Sequence, residues 1–187
     1  MKRVDYFRII HKYIAPDSPL YPIYMIHCQL VANKALKIAR KLKLSEASQR
    51  FIEEAAMLHD IGIFRTDAPG IFCYGELPYV CHVLEGRKIL EAEGLPDHAQ
   101  VAESHIGVGV TQADILEQNL PFPPRDIFPA TLEEQIISFA DFFFSKNPEK
   151  LWQEKSLDKI RKSVAKRGKE KSAILERWIH KFYVEEH

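Results

Sequence analysis

The sequence predicts an all-α protein, in which residues 1–187 form a single-domain helical bundle. Apolar residues recur at three- and four-residue steps through most of the chain, whereas the alternating pattern typical of strands is nearly absent. A length of 187 residues with 46% hydrophobic residues allows one substantial core. We therefore expect one domain, with a central part over residues 18–145 and C-terminal helices over residues 151–184 that pack on it.

Serine caps and charge patterns predict the first helices. A long amphipathic helix is expected from Ser18 to about Leu44, with its basic residues near the C-terminal end, where the helix dipole favours positive charge. Ser45 is suited to capping the next helix, which has a wide apolar face and ends at the pair His59-Asp60.

Loops interrupt the helical pattern in the middle of the chain. A stretch with three glycines and two prolines predicts a long loop that begins at Gly62. The helical spacing resumes near Tyr79 and stops at Gly94, and Pro96 then opens a short helix to about His105.

Three further helices are predicted toward the C-terminus. Thr131 and Glu134 form a capping box, which opens a helix that contains Asp141. Two amphipathic helices are then expected between residues 151 and 182, separated near Gly168.

The charge balance restricts the classes of partner. Lys plus Arg and Asp plus Glu each number 26, so the formal net charge is zero and no overall field attracts nucleic acid or an anionic membrane. We interpret the basic run over residues 155–171 as the water-facing side of a helix, and we do not expect nucleic acid as a partner.

The three cysteines show no C-x-x-C spacing, and no stretch suits a signal peptide or a membrane span. A cytoplasmic protein is expected.

Histidines and aspartates inside apolar helical stretches are the strongest functional signal. One buried histidine is more often a hydrogen-bonded core residue than a ligand, but four histidines with two aspartates favour a common metal site. Neutral imidazoles and carboxylates suit divalent first-row transition metals, and the number of ligands favours two ions that share a carboxylate. The expected ligands are His27, His59, Asp60, His82, His105 and Asp141.

The order of these ligands resembles the HD superfamily of metal-dependent phosphohydrolases. The segments that carry the resemblance are MLHDIG over residues 57–62 and HVLEG over residues 82–86, within a similar region of about 18–145. The resemblance implies an HD-type helical bundle. It also implies how the ligands divide: one ion binds His27, His59, Asp60 and Asp141, and the second binds His82, His105 and the bridging Asp60.

The same resemblance implies a hydrolase, either a phosphatase or a phosphodiesterase, with Fe, Mn or Zn as the metal. Its substrate would be a small phosphorylated molecule, with a nucleotide as one candidate, and a metal-bound hydroxide oriented by Asp60 would attack phosphorus. The lysine that many dinuclear members carry after the His-Asp pair is absent here, so Arg65 is the candidate for stabilising transition-state charge. The Gly-Tyr-Pro signature of cyclic-dinucleotide phosphodiesterases is also absent, which counts against that substrate. The alternative is an HD-type di-iron oxygenase, because a branch of the superfamily uses a similar ligand set.

Other polar residues have weaker claims to a role in the site. Arg87 is a second candidate for phosphate contact, and Glu85 is a candidate support for His82. The remaining histidines lie in polar or terminal contexts, and we expect them at the surface: His11, His98, His180 and His187.

Overall fold

The computed structural model describes residues 3–183, and within this range nine α-helices account for most of the chain. The helices are α1 (Tyr6–Tyr13), α2 (Leu20–Lys41), α3 (Glu46–Leu58), α4 (His82–Ala92), α5 (Pro96–Ser104), α6 (Gln112–Glu117), α7 (Leu132–Asp141), α8 (Leu157–Ala165) and α9 (Lys169–Phe182). The mainly α prediction is confirmed. The strands are a two-residue antiparallel pair, β1 (Asp67–Ala68) and β2 (Cys73–Tyr74), inside the loop that follows Gly62.

Caps place the helix ends close to the predicted positions. The Ser45 side chain accepts from the backbone N–H of Ser48 at the start of α3. Thr131 and Glu134 form a reciprocal capping box at the start of α7. The first C-terminal helix begins at Leu157 rather than 151, because Ser156 caps it and residues 153–156 have no regular secondary structure.

A buried apolar cluster holds the bundle together. It includes Ile10 of α1, Phe139 of α7 and Phe182 of α9, each almost inaccessible to solvent. Burial of a side chain of this size contributes roughly 1.5–3 kcal/mol. In the bundle α2 packs along α3 and α7, while α4 packs along α5. Within residues 3–183 no helix has the combined length and apolar character that crossing a membrane requires.

A close approach of two backbones brings α3 and α4 together at the predicted metal site. A methyl group added at Gly62 would overlap backbone atoms of His82, Glu85 and Gly86. Only glycine allows this separation. The contact sets the turn after α3, which carries His59 and Asp60, directly against the start of α4.

Candidate metal centre

The six predicted ligands come from five places in the bundle and meet at its centre. His27 lies in the middle of α2, His59 and Asp60 follow α3, His82 opens α4, His105 follows α5, and Asp141 ends α7. Asp60 is fully buried, and the four histidines are at most 8% exposed. The Asp141 side chain is 24% exposed. The cluster is therefore open to solvent mainly on the side of Asp141.

Asp60 occupies the centre of the cluster, and its two oxygens face different partners. Oδ2 lies 3.2 Å from Nε2 of His27 and 3.3 Å from Nε2 of His59. Oδ1 lies 3.3 Å from Nε2 of His82 and 3.5 Å from Nε2 of His105. A carboxylate with one oxygen toward each pair of imidazoles has the arrangement of a bridging ligand.

Backbone contacts fix the orientation of three of the imidazole rings. In His59, His82 and His105, Nδ1 lies 2.7, 2.7 and 2.8 Å from the backbone carbonyl oxygen three residues earlier. Because a carbonyl oxygen only accepts, each Nδ1 carries the proton and donates. Nε2 is then the nitrogen directed at Asp60. The Nε2 atoms of His82 and His105 approach each other to 3.1 Å.

Most of the ligand atoms at the centre lack the hydrogen bonds that would offset the cost of their burial. The buried atoms without a partner include both ring nitrogens of His27, Nε2 of His59, Oδ1 of Asp60 and Oδ1 of Asp141. These atoms lie near one another, but not in hydrogen-bonding geometry. Each buried unpaired polar group costs about 1–3 kcal/mol, and a shared cation removes that cost for all of them.

Three groups of ligand atoms in the described part of the chain could hold a metal ion; two consist only of predicted ligands, and the third combines Cys28 with His59 and Asp60. The first contains His27, His59 and Asp141, and the second contains Asp60, His82 and His105, with the atoms in each group within 4.8 Å of one another. A mixed imidazole and carboxylate set fits a divalent transition metal. The residues present therefore fit the expected cofactor.

Cys28 also lies near the cluster, but its contact does not suit metal binding. Its sulfur is 4.0 Å from Nδ1 of His59, which already donates to the backbone. Burial raises the pKa of the Cys28 thiol, so the protonated form is favoured. Cys28 is thus a packing residue, as we expect for a cysteine in a helical core.

The carboxylates control the protonation of the histidines around them. Burial lowers the pKa of His59, but Asp60, Cys28 and Asp141 together outweigh burial and raise this pKa well above its ordinary value. Burial lowers the pKa of His82 to about 3 despite the opposing effect of Asp60, so this ring is neutral at neutral pH. At neutral pH the cluster thus contains a neutral imidazole at His82, and its carboxylates strongly attract positive charge.

Lys146 is a site residue that the sequence analysis missed. Its Nζ lies 2.6 Å from Oδ2 of Asp60, and its side chain is 14% exposed. Burial raises the pKa of Asp60, but Lys146 and then His59 outweigh burial and hold this pKa well below its ordinary value. The only signal in the sequence is that Lys146 follows Asp141 by five residues, in a loop where lysine is common.

The ligands open onto a cavity of about 640 Å³ with a basic lining. His82, His105 and Asp141 line one side, together with Lys146. A second cavity of about 400 Å³ shares Tyr79, Ser145 and Lys146 with the first. Lys146 therefore lies between two spaces that a substrate could enter.

The two arginines proposed from the sequence point elsewhere. Arg65 is exposed, its guanidinium carbon is 5.2 Å from the centre of the Phe64 ring, and it lines neither cavity. Arg87 pairs with Glu91 at 2.8 Å and with the buried Glu103. Both arginines thus have local contacts of their own.

The other polar residues divide between surface and core. Glu85 pairs with Lys88 at 2.6 Å, whereas the His82 ring is held by a backbone carbonyl. His98 is buried, and the prediction of a surface position is wrong: its Nε2 is 3.4 Å from Oε2 of Glu54, which is itself buried. His11 and His180 are exposed as predicted. His187 lies outside the described residues.

Comparisons with known proteins give both a family and relatives. The HD domain family model matches residues 24–143. A tRNA (cytidine(56)-2'-O)-methyltransferase of Thermoplasma volcanium is 32% identical over 176 residues, which are 93% of this chain and 44% of that protein. An uncharacterised protein of Methanocaldococcus jannaschii is 34% identical over 118 residues, 62% of each chain. This chain spans less than two thirds of each relative.

Solved structures with the same fold include the HD domain of the phosphodiesterase PgpH from L. monocytogenes. The TM-score is 0.54 at 18% identity, over 97% of this chain and 89% of that one. The same domain in complex with cyclic-di-AMP gives a TM-score of 0.53 at 17% identity, over 96% of both chains. At this identity the likeness shows a shared fold.

Proposed function

The chain belongs to the HD domain family, and on that premise we propose that it is a metal-dependent phosphohydrolase acting on a small phosphorylated molecule. The observation that carries this proposal is the charge of the cavity above the ligands. Lys146 lies at its base, and further lysines and an arginine line it: Lys155, Lys159, Arg167 and Lys171. A cavity with this lining favours an anionic substrate even though the net charge of the chain is zero.

We propose that the centre holds two divalent ions, with Asp60 between them. His27, His59 and Asp141 would complete one position, and His82 and His105 the other. Bound there, the ions would supply Lewis acidity toward phosphoryl oxygens and make water a competent nucleophile at neutral pH. The backbone contacts of the histidine rings keep their Nε2 atoms in place for this role.

Lys146 takes the part that the sequence analysis gave to Arg65. Its ammonium group is next to Asp60 and also lines the cavity, so it can reach from the ligands toward a phosphoryl oxygen. Burial lowers the pKa of Lys146, but Asp60, Tyr79 and Asp141 together outweigh burial and raise this pKa well above its ordinary value. Lys146 is therefore positively charged throughout the neutral range, as stabilisation of a phosphoryl transition state requires.

The alternative of a di-iron oxygenase rests on the ligand set alone. The basic lining favours an anionic substrate, which phosphate-ester hydrolysis always has and which oxygenation does not require. The PgpH neighbour binds a nucleotide, which is consistent with a nucleotide substrate here. The methyltransferase activity named for the Thermoplasma volcanium relative belongs to a protein of which this chain spans 44%, and we do not transfer it.

A phosphatase and phosphodiesterase screen on the full chain tests the proposal. The purified protein is assayed with manganese, iron or zinc added, and phosphate or nucleoside release is measured beside oxygen consumption. We expect release from at least one phosphorylated compound, and loss of release in Asp141→Ala. Oxygen consumption without hydrolysis under any metal would replace the proposal with the oxygenase.

A further inference from the structure

The basic run near the C-terminus has two faces, and one of them borders the cavity. The residues that line the cavity recur at four-residue steps: Lys155, Lys159, Ser163 and Arg167. Lys159 and Ser163 lie on the same side of α8, and Lys155 and Arg167 flank its two ends. Ile160 and Val164 of the same helix are buried in the apolar cluster. Lys155, Lys159 and Arg167 are called the basic face below.

The cations around this side of the cavity differ in how firmly they are paired. Lys171 is buried and pairs with Asp114 at 2.8 Å, and it also donates to the carbonyl of Gly109 at 3.0 Å. Lys155 donates to the backbone carbonyl of Phe144 at 3.1 Å. Lys159 and Arg167 are exposed, and neither forms an ion pair with another residue in the part of the chain that the structure describes. These two cations are the ones left to meet a charge on a ligand.

Arg167 lies next to the loop that follows the proposed ligand His105. A methyl group added at Gly107 would meet Nη1 of Arg167 at 3.0 Å and the Phe142 ring at 3.4 Å. The guanidinium group thus lies directly over this loop, between the C-terminal helices and the metal ligands. A guanidinium in this position can bind a phosphate with two parallel hydrogen bonds.

The second cavity, beyond Lys146, has a different chemical character. Its lining outside the shared residues is uncharged: Ala68, Gly70, Ile71 and Asn147. The shared Tyr79 is 39% exposed, and its ring centre lies 4.8 Å from that of His82. An aromatic ring with a free face beside apolar side chains suits a flat uncharged group such as a base.

We propose that the substrate is a nucleotide-like molecule that carries a second phosphate in addition to the one that is hydrolysed. The inference rests on the proposed function, which places the scissile phosphate beside Lys146. The second phosphate binds between Lys159 and Arg167, and the uncharged ring lies toward Tyr79. A single phosphate is already matched by Lys146 and the metal ligands, which leaves the basic face for a further anion.

Direct binding to the full chain, as purified, tests this assignment. Adenosine 3',5'-bisphosphate and adenosine 5'-monophosphate are titrated by calorimetry, and chromatography checks afterwards that each ligand is intact. Where a ligand is hydrolysed, the ratio of KM values replaces the ratio of dissociation constants. The test variant is Lys159→Gln with Arg167→Gln. The matched control, Lys162→Gln with Lys166→Gln, removes two exposed cations of the same segment that do not line the cavity.

We expect the bisphosphate to bind the wild-type chain about tenfold more tightly than the monophosphate, as one additional charge-assisted phosphate contact allows. The test variant should lose most of that ratio, and the control should keep it. Equal binding of the two ligands by the wild-type chain would overturn the inference. So would an equal loss in the control, because general attraction by surface charge would then explain the preference.

The same titrations separate this inference from the proposed function. A preference for two phosphates without hydrolysis under any metal would refute the phosphohydrolase and leave the second phosphate site standing. Hydrolysis of a phosphorylated compound without a preference for two phosphates would refute this inference and leave the phosphohydrolase standing. A 5'-phosphorylated dinucleotide then identifies the source of the second phosphate: tighter binding than the bisphosphate indicates an oligonucleotide end, and weaker binding indicates a free nucleotide.

Discussion

The proposed metal ligands and the basic face border the same cavity, but the protein holds them in different ways. The histidines proposed as ligands are buried, and backbone carbonyls orient three of their rings. In the basic face, Lys159 and Arg167 are exposed side chains on an amphipathic segment. This chain thus fixes the groups proposed for chemistry in its core and leaves the groups proposed for substrate choice free to adjust.

The largest effect is expected from a change that separates the ligand-bearing segments. Gly62→Ala places a methyl group into the backbone of α4, at His82 and Gly86. We expect a loss of more than about 3 kcal/mol in the free energy of unfolding, because backbone cannot move aside as a flexible side chain does. Chemical denaturation measures the loss.

Gly70→Ala is the matched control for this change. A methyl group at Gly70 meets no atom within 4 Å, so stability should stay within about 0.5 kcal/mol of the wild type. A similar stability for both variants would contradict the close approach of α3 and α4.

The buried ligands could be predicted from the sequence, whereas residues that only tertiary structure brings to the site could not. Asp60 and His82 were recognisable because polar residues inside apolar helical stretches need a partner. Lys146 was not recognisable, because a lysine in a loop usually faces water and only tertiary structure brings it to Asp60. His98 was misplaced for the related reason that its buried partner Glu54 is distant in sequence.

The sequence also does not reveal that the basic face borders the cavity. A helix whose lysines face open solvent and a helix whose lysines border a cavity have the same sequence pattern, so the run over residues 155–171 predicts only a solvated surface. Helix ends were more predictable, since Ser45 and Thr131 act through local hydrogen bonds. The strands β1 and β2 were missed because two residues are too few to show alternation.

Lys146 lies between the two regions and tests how they work together. Lys146→Met keeps a long side chain but removes the charge beside Asp60. We expect kcat on the substrate found in the screen to fall about 100-fold, equivalent to roughly 2.7 kcal/mol, which is typical for removal of one group that stabilises transition-state charge. Lys150→Met, at an exposed lysine that lines neither cavity, is the control. An unchanged kcat in Lys146→Met would mean that a cation other than Lys146 stabilises the transition-state charge.

A smaller, pH-dependent effect is expected at Asp114, which pairs with Lys171 beside the basic face. Burial raises the pKa of Asp114, but Lys171 and Thr111 outweigh burial and lower it from 3.8 to about 2. A carboxylate with a lowered pKa adds stability above its unfolded value, and this stability is lost as the pH falls from about 4 to 2. Asp114→Asn should therefore cost about 1 kcal/mol at pH 7 and less near pH 3. Denaturation at both pH values measures the difference, and a cost that grows at low pH would refute the pairing.

The metal content of the purified chain is the decisive test of the proposed two-metal centre. Elemental mass spectrometry is applied to the wild type, to Asp60→Ala, and to Asp17→Ala as a control at an exposed aspartate outside the cluster. We expect about two transition-metal ions per chain in the wild type and the control, and loss of both ions in Asp60→Ala, since each oxygen of Asp60 faces a different pair of histidines. Equal metal content in Asp60→Ala and the wild type would contradict this expectation.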